Sequence, residues 1–123
     1  MRHLSREFQE SAIRRGKCIE QFLGGEQLSE DFVVRFVIIA PERNGVRMSM
    51  YESLDMGSPD YSDIYSFPSH DPSLEGDPAW ECHYDSLDSA LRAASSELSA
   101  SPDRWVNQGV CASEYLDYRA RAK

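Results

Sequence analysis

Residues 32–40, FVVRFVIIA, constrain the fold more than any other stretch. Seven of these nine residues are β-branched or aromatic: Phe32, Val33, Val34, Phe36, Val37, Ile38 and Ile39. Such residues favour a pleated, packed surface. Both alternating faces are apolar except at Arg35, which predicts an interior strand covered on much of both faces. Pro41 is expected to end it. Asn44-Gly45 follows, and both residues accept positive φ, which marks a tight turn. Beyond it Val46, Met48 and Met50 alternate with Arg47, Ser49 and Tyr51. Residues 32–52 therefore read as an antiparallel hairpin. Arg35 needs a partner if buried, with Glu52 or Glu114 as candidates.

The flanking segments supply the remaining elements. Leu4, Phe8, Ala12, Ile19, Phe22 and Leu23 recur at helical steps, predicting a helix over 3–23 stopped by Gly24-Gly25. Gly16 weakens that pattern. Residues 61–67 read as a third strand. Residues 68–78, with three prolines and a glycine, read as irregular chain. Residues 79–85 read as a fourth strand, with Trp80, Cys82 and Tyr84 on one face and Glu81, His83 and Asp85 on the other. Leu87, Ala90, Leu91, Ala94 and Leu98 then follow helical spacing behind an N-cap at Asp85 or Ser86. Ser101-Pro102-Asp103 reads as a helical turn, and 112–122 as a last helix with Glu114 early and Arg119 and Arg121 late. The expected fold is α+β: one domain over 1–123, an antiparallel four-stranded sheet, and N-terminal and C-terminal helices packed on one of its faces.

With 123 residues the chain is the size of one domain. Its three cysteines, Cys18, Cys82 and Cys111, have no paired spacing, so neither a disulfide framework nor a zinc site is expected. The polar start lacks an apolar signal region and no apolar run is long enough to span a bilayer, which points to the cytoplasm.

Charge is segregated. The net charge is −8, and residues 48–91 hold no Lys or Arg. They carry ten carboxylates: Glu52, Asp55, Asp60, Asp63, Asp71, Glu75, Asp77, Glu81, Asp85 and Asp88. Such a block creates a negative potential. It disfavours nucleic-acid backbones and anionic membranes, which attract clustered Lys and Arg. It reads either as a solvated surface or as a docking face for a cationic protein, with Asp60, Asp63, Asp71, Glu75 and Asp77 as its core. A cation-binding loop is a third reading.

Three constellations carry chemistry. Glu81-x-His83-x-Asp85 projects two carboxylates and an imidazole from one strand face, the donor types of a divalent metal site or of acid–base work. The same alternation also describes any half-exposed strand. Cys82 and His83 point to opposite faces and do not form a nucleophile–base pair. Arg104, Trp105 and Asn107 lie in a segment dense in turn-forming residues. They read as a structural elbow or, since Arg and Trp favour interface hot spots, as a recognition surface. Tyr115 and Tyr118 read as a packed helix edge or the lining of a small pocket. There is no phosphate-binding glycine loop and no nucleophile elbow, and no cofactor is implied.

Ser86-Leu87-Asp88-x-Ala90-Leu91, then the run from Ser101 to Cys111, then Glu114-Tyr115-x-x-Tyr118 resemble a family of small bacterial domains of unknown function. The resemblance implies a bacterial, cytoplasmic setting and transfers no catalytic residue. The leading expectation is a non-enzymatic, immunity- or antitoxin-like module that binds a basic protein partner. The alternatives are a metal-binding or metal-assisted enzyme using Glu81, His83 and Asp85, and a homodimeric accessory domain.

Overall fold

A computed structural model describes residues 3–28, 30–57, 62–74 and 77–122. Its elements run α1 (Arg6–Arg14), β1 (Ile19–Leu28), β2 (Asp31–Glu42), β3 (Gly45–Leu54), β4 (Trp80–Tyr84), α2 (Leu87–Glu97), β5 (Val106–Asn107) and α3 (Cys111–Ala122), with two short 3-10 turns at Ile64–Ser66 and Pro72–Leu74. The five strands form one antiparallel sheet in the order β4-β3-β2-β1-β5.

The predicted hairpin is present. Glu42 pairs with Gly45, Ile39 with Met48 and Arg35 with Glu52. Asn44 turns the chain at φ 63°. Pro41 does not end β2, which continues to Glu42. The ladder between β1 and β2 has its last pair at Ile19 and Ile39. Beyond that point β2 is paired with β3 alone, where a missing N–H is tolerated.

The largest correction concerns 3–23. The helix covers only Arg6–Arg14. Ser5 caps it, its hydroxyl accepting from the Phe8 amide at 3.4 Å. Gly16, at φ 81°, lets the chain leave the helix in the left-handed region. The residue that weakened the helical pattern is thus the true stop. Ile19–Leu28 is a strand instead, and Gly24, at φ 93°, sits at its bulge opposite Arg35. Phe8, assigned to the apolar stripe, is 63% exposed.

A second correction adds a strand. Val106–Asn107, expected within a helical region, pairs with Glu20 and Ile19 and makes the sheet five-stranded. A third concerns 61–67, where Ile64–Ser66 is a 3-10 turn rather than a strand. Ile64 and Phe67 are buried there and cap the sheet.

Helices cover both faces of the sheet rather than one. Val37, Ile39, Val46 and Met48 pack with Ala12 of α1, Ala90 and Ala94 of α2, and Trp105. Val34 and Phe36, on the opposite face of β2, pack with Ile64, Phe67, Val106, Cys111 and Tyr115 of α3. The fully buried residues on both faces explain why β2 reads as continuously apolar. On the described residues no helix is long and apolar enough to cross a membrane.

Candidate functional site

The α3 face of the sheet is covered only in part, and a cavity opens at the cover's margin. It has a volume of about 250 Å³ and is lined by Phe36, Ile38, Tyr51, Ser53, Tyr65, Phe67 and Ser69. Phe36 comes from β2 and Tyr51 from β3, directly opposite in the ladder. Their rings stack with centroids 5.0 Å apart and planes 11° apart. Tyr65, from the 3-10 turn, meets Phe36 nearly at right angles, with centroids 5.5 Å apart. Phe36 forms a buried floor, while Tyr65 stands 40% exposed. Two ring planes at right angles make an aromatic corner with two serines beside it.

Carboxylates lie near both of its tyrosines. Burial pushes the Tyr51 phenol pKa upward, and the nearby charges of Glu81 and Asp77 push it further. Behind Tyr65 lies Glu20, 1% exposed. Its carboxylate accepts a 2.6 Å hydrogen bond from the Tyr65 hydroxyl and a 3.1 Å bond from the Gly109 amide. Burial, then Glu20, raises the pKa of Tyr65 and that of the Cys111 thiol. Cys111 is therefore held as a neutral thiol and is a poor nucleophile.

A second polar cluster ties α3 to the end of β3. The Tyr115 hydroxyl donates to Asp55, and Arg119 Nη1 donates to the Tyr115 oxygen at 3.2 Å. Asp55 also accepts from the Gly57 amide at 3.1 Å. Among the described residues, Arg119 Nε is a buried donor with no acceptor. A third group lines a cavity of about 260 Å³, where Arg104 and Arg121 flank Glu114 and Tyr118. Glu114 there lies 2.7 Å from His3 Nε2.

The acidic block is partly neutralised within the fold. Glu52 pairs with Arg35 at 2.6 Å, Glu81 with Arg47 at 3.6 Å, and Asp88 with Arg6 at 3.1 Å. Arg35 thus takes Glu52, one of the two expected partners, and adds Glu26 at 3.3 Å. Asp63, Asp71 and Asp77 are exposed. Asp71 folds its own turn, accepting from the Ser73 amide and hydroxyl at 3.0 and 2.7 Å. Asp60 and Glu75 lie outside the described residues.

Glu81 and His83 share the exposed face of β4, as the alternation requires. Their heads are directed to different partners. His83 Nδ1 lies 2.7 Å from Glu42, whereas Glu81 meets Arg47 and the Ser49 hydroxyl. Asp85 lies 3.8 Å from His83 Nε2 and is fully exposed. Among the described residues, no three His, Cys, Asp or Glu side chains gather as metal ligands.

The elbow residues are likewise separated. Trp105 is 1% exposed and belongs to the core under α1 and α2. Arg104 lies 4.0 Å from Glu114 on the α3 side. Asn107 is exposed in β5. They do not form one recognition surface.

Sequence reasoning missed Phe36, Tyr51, Tyr65 and Glu20. The Tyr51 alternation carried a signal, but Glu20 was hidden by the helical reading of its segment. Comparison with known protein families, curated proteins and solved structures finds no match to this chain, residues 86–118 included.

Proposed function

We propose that the protein is a non-enzymatic binding module, immunity- or antitoxin-like, that receives a Lys or Arg side chain of a basic protein partner in the aromatic corner of Phe36, Tyr51 and Tyr65. The supporting observation is the conjunction of that corner with carboxylates. A cation within about 6 Å of a ring centroid is attracted by the ring quadrupole, by about 0.5 to 2 kcal/mol. Tyr51 stands in the field of Glu81 and Asp77; Arg47 already pairs with Glu81, so the rings and the exposed Asp77 are what favour positive charge. A cavity of about 250 Å³ suits one side chain rather than a drug-sized ligand. The net charge of −8 would speed the encounter with a basic partner.

The test is titration of the isotope-labelled protein with an oligo-lysine and an oligo-arginine peptide, followed by NMR at low and high salt. The expected result is salt-sensitive binding with shifts centred on Tyr51, Ser53 and Tyr65, weakened several-fold by Asp77→Asn. Absence of binding at low salt, or shifts confined to other surfaces, would overturn the reading.

A further inference from the structure

One edge of the sheet is β4, Trp80-Glu81-Cys82-His83-Tyr84, which among the described residues is paired with β3 on one side only. An unpaired edge presents a row of backbone donors and acceptors to any strand that fits it. The side chains of this edge have an internal symmetry: aromatic, acid, cysteine, base, aromatic.

We infer that β4 pairs antiparallel with β4 of a second copy, about a two-fold axis beside Cys82, to form one continuous ten-stranded sheet. Three physical steps lead there. First, opposite residues of an antiparallel ladder share a face, and a two-fold axis normal to the sheet keeps each residue on its own face. The axis must therefore pass beside a residue and not between two. Second, an axis at Glu81 sets Glu81 against Glu81, and like charges directly opposite are destabilising. An axis at His83 sets His83 against His83 and Glu81 against Asp85. Third, an axis at Cys82 pairs all five residues. It sets Glu81 opposite His83 twice and Trp80 opposite Tyr84 twice.

The existing ion pairs extend this pattern. Within one copy Glu42 holds His83 at 2.7 Å and Arg47 approaches Glu81 at 3.6 Å. Across the axis the order becomes Glu42, His83, Glu81, Arg47, which sets the imidazole between two carboxylates along one face. On the other face Trp80 and Tyr84 already pack on the α2 core, so the aromatic pairs would extend that core across the interface. The interface is isologous, as closed dimers require. It does not depend on the cation-binding reading.

The test combines sedimentation of the full chain over a range of concentrations with isotope-filtered NMR on a mixture of labelled and unlabelled protein. The expected result is a dimer with intermolecular contacts confined to residues 80–84 and their neighbours. His83→Glu should weaken it at least tenfold, and Glu81→His with His83→Glu should restore it. A monomer at every concentration, or a dimer whose intermolecular contacts lie elsewhere, would overturn the inference. The contact map decides even if His83→Glu fails to fold.

Discussion

Tyr65 donates a 2.6 Å hydrogen bond to Glu20, a carboxylate that is 1% exposed in the second residue of β1. One contact thereby anchors the 3-10 cover to the sheet and satisfies a buried charge-bearing group. Tyr65→Phe removes the donor and leaves the acceptor in place. A buried polar group left short of a partner costs about 1 to 3 kcal/mol. We expect a loss in that range by urea unfolding. In a double-mutant cycle, Glu20→Gln and Tyr65→Phe should be clearly non-additive.

Gly57 lies just beyond β3, against Tyr115 of α3. A methyl group there would collide with the Tyr115 oxygen. Gly57→Ala must displace the phenol from Asp55, at a cost of about 1 to 3 kcal/mol. The same substitution in a Tyr115→Phe background should cost distinctly less, because the oxygen it strikes is gone. Thermal or urea unfolding of the four proteins checks this.

Tyr115 also gives the fold a dependence on alkaline pH. Burial, then the bond to Asp55, pushes its phenol pKa up to about 12, against about 10 for free tyrosine. The folded state therefore holds the proton more tightly than the unfolded chain. Its stabilising contribution is complete below about pH 10 and is lost as the pH rises through about 12. Between those values the wild type should lose stability more steeply than Tyr115→Phe. The difference in slope should be at most about 1.4 kcal/mol per pH unit, the limit for one proton. Urea midpoints at several alkaline pH values measure it.

Ser86 caps α2, accepting from the Ser89 amide at 3.2 Å. Ser86→Ala should cost about 1 kcal/mol. The loss should appear as faster amide exchange in the first turn of α2, with the meander β1 to β4 unchanged.

The hairpin at 32–52 was legible because two independent signals agreed: the apolar density of β2 and the turn chemistry of Asn44-Gly45. The helix at Leu87–Glu97 was legible for a similar reason, its spacing agreeing with its Ser86 cap. Residues 19–28 were not. Ile19, Phe22 and Leu23 satisfy helical steps, yet in the strand Ile19 and Leu23 pack on one core and Phe22 on the other. A strand buried on both faces has no alternation to betray it. β5 was invisible because two residues have no period. Its assignment rests on a partner in β1 that local sequence does not encode. The candidate site fared worse than the fold for a related reason. Its aromatic corner joins β2, β3 and a 3-10 turn, so its residues meet only after the sheet has formed. The acidic block, by contrast, was plain in the sequence, but the pairing of Glu52, Glu81 and Asp88 with arginines from outside the block was not.

The order β4-β3-β2-β1-β5 also sets a schedule. The first four strands each pair with their neighbour in sequence, so their ladders form by closing local segments. β5 must instead find β1, and the Gly109 amide reaches Glu20 across 89 positions. Among the strand pairings, that closure spans the longest stretch of chain and carries the largest entropic cost. On a ribosome the residues of the four-stranded meander are made before those that clasp it. Until they arrive, Ile19 and Glu20 form an open margin, and a folding helper would have most reason to hold the chain there.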